Sequence, residues 1–521
     1  MLTTLPLTTV IYVEASPPSL TDNVADLDRL KAALSTALPP QLAKQPLRSP
    51  FACLAKTAAS FRSAGFKGWV VVQILSSHLE LIDFFAEQPA FLLGLALDLG
   101  STHLEASLID LLTGRILARR TALNLQVEYG ADILSRIHFA DQDKGLKRLQ
   151  QAVIKAINDL IKDLCQESAV RPETIYAVTV AGNTTMTHLL LGLSPHYLCR
   201  EPYIPLVNAP DPLLAVEIGL RLHPQAKIWP FPSRGSYFGG DLIAGILATG
   251  LDQAEQTAML IDVGTNAEVV LGSSDWLIAC AGAAGPALEG GVAKMGMRAA
   301  PGAIEQVSID RKDWQLCWRS IGDAAPVGIC GSGLIDMVAE LYLARIIDLR
   351  GKFQREFPGQ SEKQRSFIKK HLLQREGETV FVLTQRVAIS QTEIDAMIRS
   401  KAAMYAILET LINQVGVSFG ELTQIHVAGA FGKHINPKQA ITLGMLPDLP
   451  LTIFNPVGNT SLAGAEMLLL DCLLWERAKA ICRRITYLEL NVNQEFMLRF
   501  SGSRFIPHTD PGLFPSVPRF R

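Results

Sequence analysis

The stretch "LGLALDLGSTHLEASLID", residues 93–110, is an apolar run that ends on Asp98, turns through Gly100, Ser101 and Thr102, and resumes as a second apolar alternation. A related phrase returns at 258–272 as "AMLIDVGTNAEVVLG", with Asp262, Gly264, Thr265 and Asn266 in the corresponding places. A single Asp-x-Gly-[Ser/Thr] between two strands reads as an ordinary hairpin turn. Two copies, each in strand–turn–strand context, read as two related halves with a common purpose. The glycine permits a tight turn, and the N–H groups and hydroxyls beside it can cradle phosphate oxygens. A bare carboxylate cannot face a phosphate, so Asp98 and Asp262 would hold Mg²⁺, directly or through water. The two turns would then grip a nucleotide tail from both sides of a cleft.

Other nucleotide folds are excluded by their missing signatures. The chain has no G-x-x-x-x-G-K-[ST], and no G-x-G-x-x-G follows a strand; "GICGSGL" at 328–334 has its glycines at the wrong spacing. With 48 basic and 50 acidic residues the net charge is −2, and no block of like charges suggests a nucleic-acid surface. No apolar run reaches the roughly 18–20 residues of a membrane helix. The start, "MLTTLPLTTVIYVEASPPS", lacks a basic n-region and a small-residue cleavage site, so a soluble, cytoplasmic protein is expected. The eight cysteines, at 53, 165, 199, 280, 317, 330, 472 and 482, are scattered and include no C-x-x-C. That spacing argues against a zinc ribbon and against an iron–sulfur cluster built from this chain alone.

A chain of 521 residues exceeds one core, so two to four folding units are expected. Residues 1–92 read as a small α/β unit: "TTVIYVEA" and "GWVVVQIL" as strands, with a helix between them that Thr21 or Asp22 can cap. From Leu93 onward strand and helix patterns alternate, an α/β arrangement with mixed sheets, because each aspartate-bearing strand is followed by a hairpin partner. The charged segment 351–379 reads as a surface excursion, and the Pro- and Gly-rich end, 501–521, as an extended tail.

Three further stretches suit the same cleft. "VAGAFGKH", 427–434, is a strand running into small residues on which an adenosine could lie flat. "GGDLIAGILA", 239–248, and "GNTSLAGAEMLL", 458–469, are helices with small residues on one face, which allows close crossing at a hinge or simply tight packing.

The order of these pieces (phosphate, connecting helix, phosphate, adenosine, connecting helix) resembles the ASKHA superfamily of actin, sugar-kinase and Hsp70-type ATPases, which have duplicated ribonuclease-H-like lobes. More narrowly, "EYGADILSRI", "GNTTMTHLLLGL", "GGDLIAGIL", "IDVGTNAEV", "AGAAGPALEGG", "GICGSGLID", "AISQTEIDAMIRSKAA" and "HVAGAFGKHI" are similar to the reductive activators of corrinoid enzymes, over nearly the whole chain. The resemblance implies a small middle domain at 1–92 and an ATPase domain at 93–521. It also implies an ATP- and Mg²⁺-dependent activity that drives inactive Co(II) in a corrinoid protein, or in a corrinoid-dependent methyltransferase, to Co(I). Carried over by motif, Asp98, Gly100, Ser101 and Thr102 form the first phosphate loop and Asp262, Gly264, Thr265 and Asn266 the second. Gly429, Ala430 and Gly432 line the adenosine side. Asp241 corresponds to the carboxylate that orients the attacking water, with a helix N-cap as the alternative reading. Gly331, Ser332 and Gly333 open a helix as an anion or ribose contact, or as a plain tight turn.

Such activators usually begin with a ferredoxin domain holding a [2Fe–2S] cluster on C-x₄-C-x₂-C and a distant fourth cysteine, and that spacing does not occur here. The expectation is therefore no cluster on this chain and an electron from a separate ferredoxin-like donor, with a homodimer compatible with the likeness. A small-molecule kinase and a non-catalytic nucleotide-sensing scaffold share the fold and stay open as alternatives.

Overall fold

The computed structural model describes residues 4–264, 266–283, 293–297, 299–375, 377–429, 435–490 and 493–520. The chain forms two compact units. The first is Met1–Ala248 with Thr460–Arg483, and the second is Thr249–Asn459 with Arg484–Arg521.

The first unit opens with β1 (Thr8–Glu14), β2 (Leu47–Arg48), β3 (Lys67–Ile74) and β4 (Leu79–Phe85), in the order β1-β3-β4-β2. Helices Asp26–Ala37 and Phe51–Ser63 supply Leu30, Leu34 and Phe61 to its core beside Val70, Val72 and Leu81. The first helix starts later than expected, because the candidate caps do other work. Asp22 accepts from Val24 N–H (3.1 Å) and pairs with Arg29 at 2.6 Å.

The main sheet of this unit contains β5 (Leu93–Leu99), β6 (His103–Asp110), β7 (Arg115–Leu123), β8 (Ile175–Gly182), β9 (Leu213–Leu214) and β10 (Lys227–Pro230), in the order β7-β6-β5-β8-β10-β9. β5, β6 and β7 form an antiparallel meander, and β8 and β10 run parallel to β5. The all-apolar run of β5 suits a central strand covered on both faces. Side-chain alternation then divides its residues: Leu93, Leu95, Leu97 and Leu99 join Leu149, Ile157 and Leu164 of helix Gly145–Glu167. Gly94, on the other face, lies under Leu469 of helix Thr460–Leu470.

The N-terminal sheet is fastened to this main sheet within the first unit. Gln73 Nε2 donates to the carbonyls of Tyr176 (2.8 Å) and Gln225 (3.0 Å), and Lys227 pairs with Glu80 at 2.9 Å. Buried Asp83 accepts from Tyr176 Oη (3.2 Å) and lies 2.9 Å from Lys56 Nζ and 3.5 Å from His223 Nε2. Burial alone would raise its carboxyl, but the hydrogen bonds from His223, Lys56 and Phe84 N–H outweigh that and hold it at about 2. The N-terminal sheet and the main sheet therefore lie together in the first compact unit.

The second unit contains β11 (Ala258–Val263), β12 (Asn266–Gly272), β13 (Leu277–Ala283), β14 (Ala303–Asp310), β15 (Gln315–Ser320), β16 (Gly328–Ile329), β17 (Leu372–Arg375), β18 (Glu378–Val382), β19 (Ala388–Ser390), β20 (Gln424–Ala428), β21 (Phe454–Gly458) and β22 (Ile485–Leu488). Its main sheet runs β21-β20-β11-β12-β13-β22. β11, β12 and β13 are again an antiparallel meander, with β20 parallel to β11 and β21 parallel to β20. The order β13-β12-β11-β20-β21 thus repeats β7-β6-β5-β8-β10. This is the duplicated α/β architecture that the repeated aspartate turn announced.

Helix Gln391–Gln414 opens with a capping box between Ser390 and Glu393 and carries Met397, Tyr405, Ile407 and Leu411 into the core of the second unit. The segment 351–379 is more than a surface excursion: Phe367 and Ile368 of helix Glu362–His371 are buried there, and β17 pairs with β18. The C-terminal stretch is likewise packed, with Ile506, Phe514 and Val517 in the same core. Among the described residues, no helix is long and apolar enough to cross a membrane.

Candidate functional site

Each main sheet is buried through its central strand except at one residue. In β5 that residue is Asp98 and in β11 it is Asp262; both are partly exposed while their strand neighbours are buried. The register gives them the same surroundings. Asp98 stands opposite Glu105 of β6 and Ala181 of β8, and Asp262 opposite Glu268 of β12 and Ala428 of β20. Residues directly opposite on antiparallel strands point to the same face, so each half places two carboxylates side by side. Like charges in that position repel unless neighbouring groups compensate them. Glu105 and Glu268 were absent from the sequence reading, yet the repeat held the signal: each glutamate follows its turn at the start of the outgoing strand.

In the first unit the turn after Asp98 is tight. A Cβ at Gly100 would lie 2.4 Å from the His103 carbonyl oxygen, so only glycine fits. Buried Asn124 braces both ends of this turn. Its Nδ2 donates to Gly100 O and its backbone N–H to Thr102 O, each at 2.9 Å, while its Oδ1 caps the next turn at Gln126 N–H. Ser101 and Thr102 are partly exposed on the turn between these anchors.

The end of β8 brings in the next element. A Cβ at Gly182 would sit 2.8 Å from the Leu99 Cβ, and one at Gly239 would sit 2.2 Å from Asn183 Cα and 2.5 Å from Asp241 Oδ1. Three glycine-lined approaches therefore converge where β5 and β8 end, and Asp241 stands among them. The helix Gly240–Thr249 begins with Gly239 O accepting from Ile243 N–H (3.3 Å). Gly239 therefore occupies the cap position and Asp241 the first turn, where its Oδ1 accepts from Leu242 N–H at 2.9 Å. Asp241 is the partly exposed residue at the head of a helix that is otherwise buried from Gly240 to Leu247.

Helix Thr460–Leu470 reaches the same place. Ser461 Oγ donates to Asp98 Oδ1 at 2.7 Å, a contact between residues 363 positions apart. The helix is seated by Thr179 Oγ1 donating to Ala465 O (2.8 Å). It crosses Gly240–Thr249 so closely that a Cβ at Gly464 would lie 2.2 Å from the Ala244 carbonyl oxygen. The small residues of "GNTSLAGAEMLL" thus serve a close helix crossing, and Ser461 is the polar contact it delivers.

In the second unit Gly429 has φ +86°, and a Cβ there would lie 2.8 Å from Asp262 Oδ1 and 2.7 Å from the Val263 carbonyl oxygen. The backbone leaving β20 therefore passes directly over the Asp262 carboxylate, as the backbone leaving β8 passes over Leu99. The parallel even extends to the sequence, "VAG" ending both strands at 180–182 and 427–429. Gly264 is exposed after β11, and Asn266 begins β12. Thr265, Ala430, Gly432 and the side chain of Asn266 lie outside the described residues.

Gly331, Ser332 and Gly333 are buried at the start of helix Gly331–Leu343. Ser332 Oγ donates to Glu305 O (3.1 Å), and a Cβ at Gly333 would lie 2.3 Å from Ile304 O. The Ser332 hydroxyl and the close approach at Gly333 seat the helix on β14. Burial pushes the thiols of Cys165 and Cys472 up to about 11 and that of Cys482 up to about 12. Among the described residues, no three His, Cys, Asp or Glu side chains group so as to hold a metal ion. The two carboxylates in each half suit a cation that is otherwise ligated by phosphate oxygens and water.

Comparison with known proteins gives a consistent picture. Residues 256–518 match the C-terminal domain of RACo, the ASKHA domain; residues 93–254 match the RACo middle region; and residues 2–88 match the RACo linker region. The family's middle region thus falls on the first main sheet, and its linker on the N-terminal unit for which the name middle domain was expected. The corrinoid activation enzyme RamQ of Eubacterium limosum is 29% identical over 444 residues, 83% of this chain and 73% of RamQ. The [Co(II) methylated amine-specific corrinoid protein] reductase of Methanosarcina barkeri is 24% identical over 430 residues, 75% of this chain and 73% of that protein. The solved structure of a reductive activator for corrinoid, iron–sulfur protein superposes with a TM-score of 0.90 at 38% identity, covering 99% of this chain and 81% of that one. With its linker, middle and ASKHA regions in sequence order, the chain belongs to the RACo family.

Proposed function

We propose that this chain uses ATP binding and hydrolysis to drive the one-electron reduction of cobalt, Co(II) to Co(I), in a corrinoid protein or corrinoid-dependent methyltransferase. The observation that carries the reading is the repeated carboxylate pair, Asp98 with Glu105 and Asp262 with Glu268, at the same register in both sheets of a chain of this family. The named relatives activate or reduce corrinoid proteins, which gives the substrate class.

The residues fit Mg-ATP. Asp98 with Gly100, Ser101 and Thr102 and Asp262 with Gly264, Thr265 and Asn266 hold the phosphates, the carboxylates acting on Mg²⁺ through water. Gly429, Ala430 and Gly432 accommodate the adenosine. Bound Mg²⁺ supplies neutralisation of the developing phosphate charge. Ser461 fixes the rotamer of Asp98 by its 2.7 Å hydrogen bond. Asp241, at the head of its helix, orients the water that attacks the terminal phosphate and accepts its proton. The electron comes from a separate ferredoxin-like donor, in keeping with eight cysteines that include no C-x₄-C-x₂-C spacing.

The test is steady-state ATP hydrolysis with and without a corrinoid protein poised as Co(II), read alongside the cobalt spectrum under a low-potential reductant. Stimulated hydrolysis with appearance of Co(I) is expected. ADP formed in proportion to an added metabolite would make the chain a kinase instead, and tight ATP binding with no turnover a nucleotide sensor.

A further inference from the structure

We infer that a groove in the second unit, ringed by Arg350, Arg399 and Arg504, is a docking surface for an acidic segment of a partner protein. The groove has a volume of about 310 Å³ and is lined by these three arginines with Lys352, Ser501 and Phe505. Its one carboxylate, Asp395, is already satisfied, by Lys352 Nζ at 2.7 Å and Gln391 Nε2 at 2.9 Å. Among the described residues the three arginines make no ion pair, and all three are exposed. On a chain whose net charge is −2, three uncompensated guanidinium groups around one concavity form a focused positive field.

The arginines stand on three chain segments that are locked together, so the arrangement is preorganised. Arg399 is on helix Gln391–Gln414. Two residues along it, the fully buried Lys401 donates to the carbonyls of Phe505 and Pro507, which fixes the strand of chain carrying Arg504. Ile506 N–H donates to Leu349 O (2.8 Å), tying that same segment to the turn carrying Arg350. Gln391 Nε2 donates to Gly351 O (2.9 Å), closing the ring of contacts. Gly351 has φ +74°, and a Cβ there would lie 3.0 Å from Ile398 Cγ1, so the turn is pressed onto the helix. A guanidinium held by its backbone loses less freedom on binding a carboxylate than one on a mobile loop.

The surroundings favour a protein over a small anion. Met497 and Leu498 are 61% and 76% exposed, and Leu349 is 45% exposed. Met497 and Leu498 lie four and three residues before Ser501 on helix Gln494–Gly502, hence on the face that reaches the groove. Arginine and methionine beside exposed leucine is the composition of protein interfaces, and a free phosphate or carboxylate would have no use for the apolar part. The inference rests on the reading that the chain acts on another protein, and it names the face that protein meets.

The experiment uses the full chain and the double variant Arg399→Glu/Arg504→Glu, with fluorescence anisotropy of a labelled poly-glutamate peptide as the direct probe. The wild type is expected to bind the peptide in a salt-sensitive manner, and the variant about tenfold more weakly. In parallel, the concentration of corrinoid protein that half-saturates ATPase stimulation should rise by a similar factor, with hydrolysis in its absence unchanged. Equal peptide binding by both proteins overturns the inference, and so does displacement of the peptide by inorganic phosphate at micromolar concentration, which would mark a small-anion site. Peptide binding that depends on the arginines, with no corrinoid protein able to stimulate hydrolysis, would leave the surface standing and sink the functional reading instead.

Discussion

Replacing Gly464 by alanine tests how the candidate site is held together. A Cβ at this position would meet the Ala244 carbonyl oxygen at 2.2 Å and the carbonyl carbon at 2.6 Å. Both atoms are backbone in the opposing helix, so no side chain can rotate away. The helices must part by about 0.8 Å before the nearest contact reaches even 3.0 Å. Overpacking of this kind costs about 1–3 kcal/mol, offset by up to about 1 kcal/mol from the better helix propensity of alanine. A net loss of about 1–2 kcal/mol is expected. The same displacement acts on Ser461, three residues earlier on the helix, whose bond to Asp98 is 2.7 Å long. Lengthened by a comparable amount, that bond reaches the limit at which a hydrogen bond is lost. Gly464→Ala should therefore unfold at lower urea, followed by the fluorescence of buried Trp229 and Trp475, and should also bind ATP more weakly. Gly420→Ala is the control, since its Cβ would meet only Ser418 Oγ, at 3.9 Å. If Gly464→Ala matches this control in both stability and ATP affinity, the close crossing does not support the site and the argument fails.

Asp262→Asn should lower Mg²⁺-dependent ATP binding or turnover about 10–100-fold, as loss of a water-mediated metal contact does, with the circular dichroism spectrum unchanged; hydrolysis at the wild-type rate would falsify the phosphate-site assignment. Asp241→Ala should reduce turnover about 10²-fold or more while ATP affinity changes little, and equal losses in binding and turnover would mean that the carboxylate only shapes the helix start. Asp83 has its carboxyl lowered from 3.8 to about 2 in the folded chain, so its contribution, about 2 kcal/mol, is fully present above pH ~4 and fades as pH falls toward ~2. Asp83→Asn should accordingly destabilise the first unit at pH 7 and differ progressively less from wild type across that acid range, as read by urea unfolding; a gap that persists at the acid end would show that packing, not charge, is responsible.

Much of the fold was legible because its signals are local. The apolar run of β5 and its abrupt stop at Asp98 follow from seven consecutive residues, and the second copy at Asp262 repeats them, so a duplicated α/β chain could be read without any contact map. The helix Gln391–Gln414 is local in the same way, since Ser390 and Glu393 close its capping box within its first turn. Signals that depend on competition between local partners were read less well. Thr21 or Asp22 offered a helix cap, but Asp22 found Arg29, and the helix starts at Asp26. The charged segment 351–379 concealed Phe367 and Ile368, because two apolar residues among many polar ones leave no clear period.

What the sequence determined by itself is the pair of aspartate turns, the alternation of strand and helix around them, and the family to which these belong. The tertiary structure alone decided which residues join those turns. Ser461 reaches Asp98 across 363 positions, Asn124 braces a turn more than twenty residues before it, and Gly182 and Gly239 close on each other where β8 ends. The tertiary structure also committed Ser332 to a backbone carbonyl and gathered Arg350, Arg399 and Arg504 around one groove. The physical reason is one of range. Strand burial and turn geometry are set by neighbours along the chain, whereas a hydrogen bond between distant residues exists only after the sheets and helices that carry them have packed.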